Sequence, residues 1–469
     1  MQPFETTNLR PGTRLPKALF TRQGVKLLSA EVTLSEAICR TLGQFPEGQL
    51  FLASGIEELR QAGVVRAFSS SRLRAGATPE NDLVTLGGVL AVESGEQIEP
   101  HHLDALEHGA FIGLDPKESA KLRAQRMKLA EDIAADREEA WAQLPLTMDR
   151  TEPPLDLVRT AGPGPGWPDF DGLRQWRGVR VHAVRRALGR VLSGVPTHIS
   201  EFEGIVDDLV ETVERFPERF PQVALCAPHR EEFLPDHAFT TSALCIAMTA
   251  RLGWGRSGVR QAGLAGLLAD TGMGLIPSRV RSSTRKLDDV DANRIRRHPA
   301  FSVMLLSGVE GLPEIVSLAA YQHHERENGS GYPRALKSKQ ICDLAKVVAV
   351  ADTFAASIAP RPYKPTKRPY DALEELLMMG TERQLDRRII RSLVESTGLF
   401  PVGSFVKLST GDLAEVVGAH PDKIDRPIVT VVRREGRGLR RAQTIDLNDH
   451  QPWELHVILP ADRPADLAA

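Results

Sequence analysis

The spacing of apolar and polar positions changes character several times along this chain. Up to about residue 115, short β-like runs (Lys17 to Phe20, Gln49 to Ala53, Val84 to Val92) alternate with short helical ones. Two pieces, VKLLSAEVTLSEAICRTL and GGVLAVESGEQIEPHHLDAL, share one order of strand, turn and amphipathic helix. That pattern predicts a small α/β module over residues 1–115 with a weak internal duplication. His101 and His102 in the second piece read as solvent-facing residues at a helix start after Pro100. Residues 116–144 mix both charge signs at helical spacing, which predicts an exposed or coiled connector helix. Residues 145–169 are rich in Pro and Gly and read as a linker. From 170 to 397 the period is helical, as in Phe202, Ile205, Val206, Leu209, Val210 and Val213. Beyond 398, VGSFVKLSTGDLAEVVGAHP and RPIVTVVRREG are β-branched runs joined by Gly turns, and 398–469 reads as a β-rich module with a tail. The expected fold is therefore multi-domain, a mainly α-helical core between a small N-terminal α/β module and a small β-rich C-terminal one.

Composition narrows the function classes. A chain of 469 residues, 26% charged and 42% hydrophobic, has the make-up of an ordinary globular protein. A formal net charge of −2 gives no global pull toward nucleic acid or anionic membrane, so neither is an expected partner. The tail arginines Arg433, Arg434, Arg437, Arg440 and Arg441 read as a solvated hairpin face. The four cysteines, Cys39, Cys226, Cys245 and Cys342, lie far apart and read as small buried residues in a reducing compartment. The first twenty residues lack the unbroken apolar core of a signal peptide. No stretch approaches the ~20 apolar residues of a membrane span. A cytoplasmic location is the expectation.

The chemistry concentrates in His323-His324-Glu325-Arg326-Glu327-Asn328-Gly329-Ser330-Gly331-Tyr332-Pro333. Two imidazoles stand beside a carboxylate, followed by a glycine-rich turn that fixes a tyrosine and a proline. Adjacent side chains diverge on a regular helix, but at a helix end both rings can turn toward one metal ion. HHE followed by GxGYP resembles the signature of HD-GYP domains, a branch of the HD metal-dependent phosphohydrolases whose members hydrolyse cyclic di-GMP. The resemblance covers roughly residues 222–397.

What it implies can be carried over residue by residue. His237, in PDHAFTTSALCIAMTARLGW, matches the first metal-binding histidine, although alone it reads as a capping or surface residue. The family's His-Asp doublet, LLHDIGKIGIP in other members, falls on LLADTGMGLIP. Asp270 survives there, with Ala269 in place of the His and Met273 in place of the Lys. His298 in the HP step, the His323–His324 pair and Asp352 in VAVADTFAA match the remaining ligands. Asp270 and Tyr332 would carry catalytic roles. Arg361 and Lys364, in RPYK, match the basic residues that grip the dinucleotide phosphates. Imidazole with carboxylate suits iron, manganese or zinc better than calcium, and iron or manganese, as one ion or two, is the expected cofactor. Two such ions about 3.5–4 Å apart clamp a phosphodiester and lower the pKa of a water between them.

The departures cut against full activity. Ala269 removes a ligand from the first metal and leaves His237, Asp270 and Asp352, while Asp270, His298, His323 and His324 form a complete second set. Met273 removes a cation whose contact with a substrate phosphate is worth about 1.5–3 kcal/mol. Phe233 stands one helical turn before His237, where some relatives place a Glu for a third metal. Three readings follow. The first is a cyclic di-GMP phosphodiesterase with impaired chemistry. The second is an inactive module that binds a cyclic dinucleotide or a signalling protein. The third is a phosphohydrolase for another nucleotide.

Overall fold

The computed structural model describes residues 2–65, 68–69, 73–74, 76–98, 110–149, 151–157, 170–217, 219–225, 233–281, 283, 287–359, 367–420, 423–435, 438–451, 454–462 and 464. The fold is a mainly helical core with small sheets at the N-terminal end of the chain and one larger sheet at the C-terminal end. Two compact units share it. One holds Met1–Leu144, Ala183–Phe202 and Leu268–Gln322, and the other Pro145–His182, Glu203–Leu267 and His323–Ala469.

The first unit opens with eight strands in two antiparallel sheets. These are β1 (Gln2–Pro3), β2 (Ala18–Thr21), β3 (Lys26–Leu28), β4 (Leu50–Ala53), β5 (Phe68–Ser69), β6 (Asp82–Thr85), β7 (Leu90–Val92) and β8 (Ala110–Leu114). Their orders, β1-β4-β2-β3 and β5-β8-β6-β7, are the same order twice: first, fourth, second, third. The repeat extends to single hydrogen bonds. The amide of Thr21 donates to the Val25 carbonyl and that of Gly24 to the Thr21 carbonyl. Thr85, Val89 and Gly88 repeat both bonds at the same offset along the chain. The Thr21 and Thr85 hydroxyls each accept from the amide four residues on. Both turns need the left-handed backbone, with φ of 95° at Gly24 and 77° at Gly88, which explains the glycine in each. Val84 to Val92, one β-like run in the sequence, is this second hairpin, broken by Gly87–Gly88 into β6 and β7. His101 and His102 lie outside the described residues.

A long helix, Pro116–Trp141, follows in the same unit. Asp115 caps it by accepting from the amides of Lys117 and Glu118, and Pro116 takes the first turn, where its missing donor costs nothing. Leu122, Arg126, Leu129 and Ile133 are buried at helical spacing, and the helix packs on the helix His298–Leu306. All residues of His298–Leu306 are buried, as a helix apolar on every side must be.

In the second unit the helix Phe233–Arg251 packs against Asp343–Ile358 and Arg387–Thr397. Cys245 and Cys342 are buried among them, and burial pushes both thiols up in pKa, Cys342 to about 12. The C-terminal residues build one antiparallel sheet. Its strands are β9 (Phe405–Leu408), β10 (Leu413–His420), β11 (Lys423–Glu435), β12 (Gly438–Asp446) and β13 (Val457–Ala461), in the order β12-β11-β10-β9-β13. Alternate residues Ala414, Val416, Val429 and Val431 face one apolar cluster with Val406 and Leu408. Arg433 and Arg434 are exposed on the β11–β12 hairpin, and Arg441 pairs with Glu415. Among the described residues no helix is long and apolar enough to cross a membrane.

Candidate metal centre

In the first unit, Asp270 and His298 meet. The helix Arg256–Leu268 ends just before Asp270, whose backbone (φ −92°, ψ 10°) leads into a 3-10 turn, Thr271–Leu275. His298 starts its helix, with Pro299 beside it in the first turn. Its Nδ1 lies 2.8 Å from the Ile295 carbonyl oxygen, an acceptor that fixes the ring proton on Nδ1. The other ring nitrogen, Nε2, lies 3.1 Å from Asp270 Oδ1. A ring nitrogen and a carboxylate oxygen at that distance can share a proton or hold one metal cation. Ala269 is buried beside Asp270 as a bare methyl group, and Met273 is half-buried in the turn.

In the second unit two further groups form. His237 Nε2 lies 2.8 Å from Asp352 Oδ1, both residues buried. The ring of Phe233 stacks on His237 at 5.0 Å and 13°, so the aromatic in the first turn supports the histidine. Asp236, next to His237, is held by the fully buried Arg177, which also donates to Thr240 Oγ1 at 2.9 Å. An ion pair this deep needs good geometry to offset desolvation, and it pins the start of the helix that carries His237.

His323 and His324 follow the helix Glu314–Gln322, with ring centroids 4.1 Å apart. His324 stacks on Tyr332 at 4.7 Å and 18°, and the Tyr332 amide donates to the His324 carbonyl. The turn between them has no room for a side chain at Gly331, where a Cβ would run into the backbone of His324, Glu325 and Arg326. Glu325 closes the turn, its carboxylate accepting from the amides of Arg334 (2.7 Å) and Leu336 (2.8 Å). Burial pushes the Glu325 carboxyl up in pKa against these two donors, which favour the anion.

All six expected metal ligands are thus placed beside a partner of the right chemistry. Asp270 with His298, His237 with Asp352, and His323 with His324 each offer ligand atoms within 4.8 Å of one another. Imidazole nitrogen and carboxylate oxygen, largely buried, fit a divalent transition ion. Arg361 and Lys364 lie outside the described residues. Nothing in the sequence signalled Arg177 or the support that Phe233 gives His237. Arg177 carried no signal, being one of many arginines in a helical stretch, whereas Glu325 stood inside the HHE motif.

Comparison with known proteins agrees with this chemistry. Residues 221–389 match the HD domain family, a span that contains all six expected ligands. A cyclic di-GMP phosphodiesterase of Pseudomonas aeruginosa is 32% identical over 228 residues, 48% of this chain and 54% of that protein. A cyclic di-GMP phosphodiesterase response regulator of Xanthomonas campestris pv. campestris is 32% identical over 39% of this chain and 49% of its own length. The 3'3'-cGAMP-specific phosphodiesterase 1 of Vibrio cholerae is 32% identical over 29% of this chain and 31% of its own. The chain spans about half the length of the first two relatives.

Proposed function

We propose that this chain is an HD-GYP domain protein that binds a cyclic dinucleotide of the cyclic di-GMP class at a metal centre and hydrolyses it slowly. Asp270 with His298, and His237 with Asp352, each pair an imidazole with a carboxylate for a metal ion, and His323 with His324 adds two further imidazoles. The observation that carries the reading is the intact His323–His324–Tyr332 turn, stacked and closed by Glu325, in a chain whose doublet is reduced to Asp270.

The residues divide the work. Divalent iron or manganese, when bound, supplies Lewis acidity and a nucleophilic water at neutral pH. Asp270 and His298 hold paired lone pairs toward a cation, with the His298 proton kept on Nδ1 by Ile295. Tyr332, immobilised against His324, walls the pocket. Arg361 and Lys364 take the substrate phosphates, Arg361 by its two-pronged guanidinium. Removing Arg361 weakens dinucleotide binding whether or not turnover survives. Ala269 favours the second reading, a module that binds the dinucleotide, or a signalling protein, and signals by conformation.

The test is metal content together with cyclic di-GMP binding and turnover, on protein purified without chelator, with 3'3'-cGAMP in parallel. Bound iron or manganese with binding and slow turnover supports the proposal. Ordinary enzymatic rates would remove the impairment. Binding without turnover would select the non-enzymatic module, and neither metal nor dinucleotide would sink both.

A further inference from the structure

Asp270 is the doublet's remaining ligand, and it sits on a short bridge between a helix end and a 3-10 turn, a segment with little regular hydrogen bonding of its own. Something must fix its aim toward His298. Ser302 is buried, at 0% exposure, in the helix His298–Leu306. Its hydroxyl donates to the Ala269 carbonyl at 2.7 Å and accepts from the Gly272 amide at 2.8 Å. A serine in mid-helix usually turns back to a carbonyl of its own preceding turn. This one spends its donor and an acceptor position across a gap, on the residue before Asp270 and the second residue after it.

Ser302 also stands four residues after His298, hence on the same helix face. A Cβ at Gly272 would run into the His298 carbonyl and the Ser302 amide, so the bridge lies directly against the helix backbone. Thr271 Oγ1 anchors it from the other side, donating to the Leu268 carbonyl at 2.7 Å. One hydroxyl therefore ties both flanks of Asp270 to the helix that presents His298.

We infer that Ser302 is a positioning residue that sets the 3.1 Å spacing between Asp270 and His298, and through it the affinity of the site for metal. The inference rests on the metal-binding reading above. With no histidine at 269, this clamp and the Thr271 anchor hold the segment that carries Asp270.

The experiment compares Ser302→Ala and Ser302→Cys with Ser242→Ala in the full-length protein. Ser242 is also buried and bridges two helices through the Gly263 carbonyl, at 2.8 Å, so it controls for loss of a structural hydroxyl. Manganese titrated into chelator-stripped protein should bind Ser302→Ala about 10–100-fold more weakly than wild type, the usual cost of losing a residue that orients a ligand. Ser302→Cys, a weaker donor of similar shape, should fall between. Ser242→Ala should lose thermal stability and keep its affinity. In metal-free protein, the His298 ring signal of histidine-labelled samples, assigned by His298→Gln, should move in Ser302→Ala and not in Ser242→Ala. Unchanged affinity in Ser302→Ala, or an unmoved His298 signal, overturns the inference. Failure of wild type to bind manganese or iron refutes the metal reading instead, and the His298 signal then still decides whether Ser302 positions that ring.

Discussion

The two units treat their share of the metal ligands differently. The second keeps His323, His324 and Tyr332 in a turn where each member has a structural reason. Stacking holds the rings, Gly331 admits the backbone and Glu325 closes the loop through two amides. The first has lost a histidine and a lysine from the segment around Asp270, yet keeps Asp270 facing His298 through the Ser302 hydroxyl. The turn keeps all its supports, while the segment of Asp270 carries Ala269 and Met273 where the HD-GYP pattern has histidine and lysine. On the proposed function, such a contrast is expected of a site selected for occupancy more than for rate.

The largest effect should come from breaking the supported turn. Gly331→Ala drives a methyl group into the backbone of three residues, none of which can move without displacing His324. The expected cost is about 2–4 kcal/mol, as for an overpacked site that cannot relax. Thermal unfolding should show it, together with lost manganese binding. The same change at Gly204, a helical glycine with open space at its Cβ, should stabilise slightly, by about 0.5–1 kcal/mol. Equal behaviour of the two variants would mean that the turn is not the rigid element claimed.

The opposite manipulation repairs the reduced segment. Ala269→His with Met273→Lys restores the pattern of the family at the two altered positions. If those losses alone limit the site, metal affinity and cyclic di-GMP turnover should each rise about tenfold or more, roughly 1.4 kcal/mol per decade. Absence of any gain would show that the pocket has diverged further, and the binding-only reading would then be preferred.

The sequence carried the large features because they are periodic or contiguous. Phe202 to Val213 gave a clean helical stripe and lies in the helix Ser200–Arg215, and the β-branched runs beyond Phe400 are strands. The HHE and GYP residues could be read because one short segment holds them all. Ser302 could not: within HPAFSVMLL it looks like any small residue on a buried helix, and its partners lie some thirty residues upstream. Arg177 was hidden for the same reason, since nothing in a helical run marks which of its arginines will be buried opposite Asp236. Long-range contacts to backbone or to a single carboxylate leave no periodic trace. The doubled hairpin was legible only as a loose likeness, while its repeated hydrogen bonds fix the correspondence from Thr21 to Thr85.

A smaller effect separates the units by pH. Lys26, in β3 of the first unit, is half-buried and donates to the Gly194 carbonyl at 3.4 Å, and burial pulls its pKa down to about 8. A carbonyl dipole compensates an ammonium less well than a carboxylate would, so the folded state disfavours the charged form. The unfolded chain keeps its proton to the ordinary value of 10.5, so between pH 8 and 10.5 it binds more protons than the native state. Stability from this group is therefore fully present above 10.5 and is lost as pH falls through 8. Lys26→Met should stabilise the first unit at pH 7 by about 1–2 kcal/mol, the shift discounted for partial exposure. Its advantage over wild type should shrink steadily toward pH 10.5, read as the difference between two unfolding midpoints across that range. A difference that stays constant with pH would show that Lys26 titrates as if exposed. At every pH tested the two proteins should bind manganese equally well, since Lys26 donates to the Gly194 carbonyl and to none of the proposed ligands.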